Sequence, residues 1–136
     1  MKKIQFRYTI LILLVLLTAF SEAVSAQTPP SALVVIAHPD DESMLSVTLY
    51  KLAKEHHGNV DLFVITNGEA GYRYSALAEQ YYGCKLTNAA DARKNLPAIR
   101  KKELHEAGNV LGIRHYYFAD QVDSHFSLDE HEPLDT

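Results

Sequence analysis

Basic charge is scarce in this sequence. Thirteen Lys and Arg stand against 17 Asp and Glu, a net charge of −4 at neutral pH over 136 residues. A nucleic-acid surface would be basic, so that class of partner is excluded. Long apolar runs are scarce too. Only Tyr8 to Phe20 is almost wholly apolar, and it is short of the roughly 20 residues a membrane span needs. Lys2, Lys3 and Arg7 precede it, and the small residues Val24-Ser25-Ala26 follow. Charged, apolar and cleavage regions in that order form a secretory signal peptide over residues 1–26, which places the mature chain in the periplasm or outside the cell. Cleavage after Ala26 leaves 110 residues, Gln27 to Thr136, one small domain. It also removes three basic residues and one acidic one, leaving ten against sixteen and a net charge of −6. Cys84 is the single cysteine. A lone cysteine in an exported chain makes no internal disulfide, so the fold rests on an ordinary core with Cys84 as a buried or partly buried thiol. Internal repeats and low-complexity tracts are absent. So are Gly-x-Gly-x-x-Gly and Gly-Lys-Ser/Thr loops after the first strand, which argues against a nucleotide-binding domain.

What is present is strand and helix patterning. Ser31 to Ala37 is a continuous, β-branched apolar run, as expected of a strand buried on both faces. Asp40-Asp41-Glu42-Ser43 offers capping groups and acid for a helix start. A helix is expected from about Ser43 to His56, with Leu45, Leu49, Leu52 and Ala53 on one stripe and Gly58-Asn59 ending it. Val60 to Thr66 is a second buried strand, parallel to the first through a right-handed crossover. The loop Asn67-Gly68-Glu69-Ala70-Gly71 follows, then a polar and aromatic stretch, Tyr72 to Ala92, of weak periodicity. A second helix is expected over Leu96 to Leu111, with Pro97 in its first turn and Gly112 closing it. His115 to Ala119 is a third strand, and Asp120 to Thr136 is a polar tail without helix or strand pattern. The fold class is α/β: the first half of a Rossmann-like parallel sheet with flanking helices. Such sheets place their sites at the carboxyl ends of strands. Three loops meet that rule: His38 to Glu42, Asn67 to Tyr74, and Asp120 to His125.

The first of these carries the chemistry. His38, Asp40 and Asp41 place one imidazole and two carboxylates within four positions of a buried strand's end. Both group types suit Zn²⁺. Two can ligate, and the remaining carboxylate can take a proton from water. Spacing alone does not choose between the two aspartates. The bland alternative is an acidic helix start with an incidental histidine. Elsewhere the bland readings lead. Tyr72, Tyr74, Tyr81 and Tyr82 are expected to pack locally rather than line a sugar site. Arg93, Lys94, Arg100, Lys101 and Lys102 read as a solvated helix face, with Arg100 and Glu103 able to pair along it. His56 and His57 suit a helix C-terminus, and His105 a solvent-facing helix position.

Val35-Ile36-Ala37-His38-Pro39-Asp40-Asp41-Glu42 resembles the signature loop of the PIG-L/LmbE-like deacetylases. Val64-Ile65-Thr66-Asn67-Gly68-Glu69-Ala70-Gly71 is similar to the family's second strand and its Thr-(Asp/Asn)-Gly-Glu loop, and Ile99-Arg100-Lys101-Lys102-Glu103-Leu104 to its Arg-x-x-Glu helix. Phe118 to Asp123 sits where the family has its third strand and an Asp-bearing loop. The resemblance implies a zinc-dependent hydrolase that removes the N-acetyl group of an amino sugar or glycoconjugate. It implies His38 and Asp41 as metal ligands, Asp40 as general base and Asp123 as a substrate contact. The family's third ligand comes from a histidine motif well downstream of the third strand. No His-x-x-His occurs in this sequence. The expectation is therefore an incomplete copy of the domain. His125 is the in-chain alternative for the third ligand, and a non-catalytic remnant of the same fold is the alternative function.

Overall fold

The computed structural model describes residues 28–124, 127, 128 and 131. The signal segment, residues 1–26, and His125 lie outside the described residues.

Three strands, β1 (Ser31–Ile36), β2 (Asn59–Thr66) and β3 (His115–Gln121), form one sheet in the order β1-β2-β3. Both pairings are parallel, as the single-helix crossover requires. The β1–β2 register sets Leu33 beside Asp61 and Val35 beside Phe63, and β2–β3 continues those rows to His115 and Tyr117. Between β1 and β2 the chain is helical in three successive pieces. A 3-10 turn, Asp41–Leu45, leads into α1 (Ser46–Tyr50), which runs on as a π-helical turn, Lys51–Glu55. The helix thus starts at Asp41, two residues earlier than the sequence pattern suggests. A 3-10 turn, Glu69–Tyr74, and α2 (Ala76–Tyr82) occupy the stretch of weak periodicity. Next comes α3, Ala89–Leu111, 23 residues long.

The start of α3 corrects the expectation of a helix from Leu96. Asn88 caps the helix, its Oδ1 accepting from the Asp91 N–H at 2.9 Å, and Pro97 lies inside it. Pro97 signalled a first turn, but local capping by Asn88 starts the helix seven residues before Leu96. Gly112 closes the helix as expected, with its N–H on Gly108 O at 2.8 Å.

One face of the sheet is packed. Ile36, Val60, Leu62 and Val64 form a core with Leu49 of α1, Leu104 of α3 and Ile113, and Val34, Leu52, Ala53, Tyr116 and Phe118 close around it. Gly108 of α3 lies directly over Tyr116: a Cβ there would sit 1.7 Å from the phenol oxygen. A mid-helix glycine costs about 1 kcal/mol of helix propensity, and this approach is its reason. A second, smaller core of Leu86, Ala92 and Leu96 sits under Tyr72, Ala78, Ile99 and the partly buried Cys84.

The other face corrects the reading of strands buried on both sides. Leu33 is 61% and Val35 59% exposed, and Ile65 and Tyr117 beside them are also exposed. Neither core cluster of described residues includes them.

Candidate active site

The three strand ends converge at the carboxyl edge of the sheet. The Thr66 N–H and Oγ1 both donate to Ala37 O at 2.9 Å, which locks the end of β2 to the residue that opens the first loop. Asn67 N–H donates to Gln121 O at 3.1 Å and ties in the end of β3. Gly68, at φ 69°, lies against Pro39. A Cβ there would sit 3.0 Å from the proline Cδ, so both the left-handed backbone and the close approach favour glycine. The second loop therefore seats the first.

The acidic run does not act as a helix cap. Asp40 occupies the cap position but makes no side-chain bond to the helix amides. Each acid instead has its own destination. Asp41 turns back, its Oδ2 accepting from the amides of Ala37 (3.1 Å) and His38 (2.9 Å). Asp40 turns outward to Arg100 of α3, its Oδ2 2.7 Å from Nη2. Glu42 is buried, and its Oε2 has no hydrogen-bond partner among the described residues. Burial raises its carboxyl above the ordinary carboxylate range. The buried Glu69 likewise keeps an unpartnered Oε2.

His38 stands between two carboxylates. Its Nε2 lies 3.2 Å from Asp123 Oδ1, and its Nδ1 lies 3.5 Å from Asp41 Oδ2. Asp123 follows β3 and is itself buried. Its other oxygen accepts the Ala70 N–H of the second loop at 3.2 Å. All three loops thus meet at one imidazole. His38, Asp40, Asp41 and Asp123, the residues singled out in the sequence, share one site. Both oxygens of Asp123 are engaged with protein groups. Among the described residues no three His, Cys, Asp or Glu side chains gather into a group able to hold a metal.

Arg100 is the site residue that sequence reasoning missed. The run of basic residues predicts a solvated helix face for it, yet only 21% of its side chain is exposed. Besides Asp40 it reaches the first loop's backbone, donating from Nη2 to Pro39 O at 3.0 Å. The expected helical pairing with Glu103 is present but loose, with Nε 3.8 Å from Oε2. The available signal was the Arg-x-x-Glu spacing. Lys102 does lie on an exposed face, 69% exposed. The tyrosines divide. Tyr81 and Tyr82 pack edge to face at 4.8 Å, Tyr72 joins the second core, and Tyr74 is exposed. His105 is exposed as expected, though its ring lies 4.0 Å from that of Tyr116.

The sequence model of the GlcNAc-PI de-N-acetylase family, PIG-L, matches residues 33–135. The chain belongs to the PIG-L family. That match takes in all three loops of the site. Among solved structures, the PIG-L chain is similar to N,N'-diacetylchitobiose deacetylase from Pyrococcus horikoshii, complexed with its inhibitor MPG. The TM-score is 0.53 at 23% identity, a likeness of fold. The similarity covers 82% of this chain and 38% of that one, so the chain spans well under half the length of that deacetylase. Among curated proteins none matches.

Proposed function

We propose that this chain carries the catalytic loop of a zinc-dependent de-N-acetylase acting on an N-acetylated amino sugar or glycoconjugate. Membership of the PIG-L family and the likeness to a chitobiose deacetylase support that reaction class. The observation that carries the reading is the setting of His38. An imidazole that gives its Nε2 proton to a buried carboxylate keeps a lone pair on Nδ1, and that nitrogen faces Asp41. A carboxylate–histidine pair behind a ligand atom is the usual way a metal histidine is oriented. His38 Nδ1 and Asp41 therefore suit two positions of a zinc site. Catalytic zinc takes about three protein ligands, so the reading requires a third from outside the described residues. A bound zinc would polarise the acyl oxygen and acidify the attacking water.

The chain's own residues supply the rest. Asp40 holds no cap bond, and its carboxylate, 62% exposed and paired with Arg100, can take the proton from water as the acyl carbon is attacked. That proton can then pass to the departing amine. Asp123, which the resemblance implies as a substrate contact, also acts through His38 by fixing the ring. Export with cleavage after Ala26 belongs to the same proposal, and a mature N-terminus at Gln27 by mass spectrometry would support it.

The test measures zinc binding by calorimetry and acetate release from N-acetylglucosamine derivatives. His38→Ala should abolish both. Asp40→Asn should keep zinc and lower acetate release about 10²–10⁴-fold, the usual contribution of a general base. A non-catalytic domain of the same fold is the second reading, favoured by the absence of a three-ligand group among the described residues. Stoichiometric zinc without acetate release would select it, and no zinc binding by the unaltered protein would sink the metal site.

A further inference from the structure

Arg100 holds the first loop at two points, the carbonyl of Pro39 and the carboxylate of Asp40. One guanidinium nitrogen, Nη2, that grips both a backbone carbonyl and the next side chain fixes where that side chain points, not merely its charge. What fixes the guanidinium in turn lies behind it. Its Nε is buried without a hydrogen bond among the described residues and faces Glu103 Oε2 at 3.8 Å. Glu103 is anchored from α2, where the Tyr82 hydroxyl donates to its Oε1 at 2.9 Å. Tyr82, Glu103, Arg100 and Asp40 therefore form one line of polar contacts from α2 to the first loop.

We propose that Tyr82 and Glu103 are positioning residues that act through Arg100 to aim the Asp40 carboxylate. That Asp40 is the base rests on the function proposed above; the linkage itself does not. Glu103 pushes the Tyr82 hydroxyl up to about 12, so the phenol stays a proton donor across the physiological range. The line works by geometry. A displaced base costs rate rather than affinity, because binding the substrate does not require the proton transfer.

The test compares Tyr82→Phe, Glu103→Gln and Arg100→Lys with the unaltered protein. Tyr82→Phe removes one oxygen at a half-buried position, so it leaves the fold intact. Backbone amide resonances report the linkage without any turnover. In Tyr82→Phe the amides of Asp40 and Asp41 should shift, although they are two side chains removed, while those of Val60 and Leu62 stay in place. In acetate release, all three variants should lower kcat, Arg100→Lys by about tenfold to a hundredfold, with KM unchanged within about twofold. Amides at Asp40 and Asp41 that ignore Tyr82→Phe and Glu103→Gln would overturn the proposal. So would a raised KM with kcat intact, which would make Arg100 a substrate contact. If the amides shift but the unaltered protein releases no acetate, the linkage stands and the deacetylase reading falls.

Discussion

The two faces of the sheet carry similar side chains and have different fates. On one, Val60, Leu62 and Val64 are almost wholly removed from water beneath α1 and α3. On the other, Leu33, Val35, Ile65 and Tyr117 stay exposed, and at one end a charged group replaces apolar packing. There Arg114 grips Asp61 with two bonds, Nε to Oδ1 at 3.1 Å and Nη2 to Oδ2 at 3.0 Å, with His115 Nδ1 at 3.2 Å. The sequence of a strand records that it is apolar; it does not record which side is covered. Stability should therefore be concentrated on one face, whereas the site sits at the edge where both faces end.

The largest effect expected is from Leu62→Ala. Leu62 is fully buried, and its truncation should cost about 2–5 kcal/mol in chemical denaturation, from lost burial and the cavity left behind. A loss below about 1 kcal/mol would mean the packed face is not the stabilising one. Gly108→Ala sharpens the same point from the helix side. Alanine is the better helix former, yet its methyl would overlap the Tyr116 hydroxyl, so a net destabilisation of about 1–3 kcal/mol is expected. Tyr116→Phe should be neutral or slightly stabilising. The hydroxyl is buried and unpartnered among the described residues, and removing such a group relieves its desolvation cost. A clear loss of stability in Tyr116→Phe would show that the hydroxyl has a partner after all.

On the open face the effects shrink. Val35→Thr should change stability by no more than about 0.5 kcal/mol, the range of ordinary surface substitutions. A change as large as that of Leu62→Ala would show that Val35 is covered. The smallest effect expected is pH-dependent. The Arg114 hydrogen bonds hold the Asp61 carboxyl below the ordinary carboxylate range. A group whose value is lowered by folding adds stability above its ordinary value, and loses it as pH falls through the folded one. Thermal melts should show Asp61→Asn differing from the unaltered protein at neutral pH and converging with it in acid, below about pH 4. A difference that grows in acid would reverse the sign and discard the ion pair as its cause.

Much of the molecule was legible in the residues. The β-branched runs from Ser31 and from Val60 became strands, and their parallel pairing followed from the length of the connection between them. Of the expected stripe, Leu49, Leu52 and Ala53 found the core, whereas Leu45, in the 3-10 turn before the helix, is exposed. His38, Asp40, Asp41 and Asp123 came together because strand ends of a parallel sheet all open on one edge. Between Tyr72 and Ala92 periodicity is weak and predicts no element, and the structure has a 3-10 turn, a short helix and the capped start of α3 there. Those elements are held by Leu86, Ala92 and Leu96 packing together, contacts between positions too mixed in pattern to announce a helix.

What the sequence by itself determined was the order of elements and the inventory of donors at the sheet's edge, because periodicity and residue chemistry are local properties. The tertiary structure alone decided how those donors are used. It sends Asp41 back to the amides of Ala37 and His38, Asp40 out to Arg100, and Asp123 in to His38. Such choices depend on which side chains from distant segments arrive within about 3 Å, the range in which a hydrogen bond forms. Arg100 lies 60 residues along the chain from Asp40, and the Arg-x-x-Glu spacing alone does not say what it reaches. Only the seating of α3 against the first loop does.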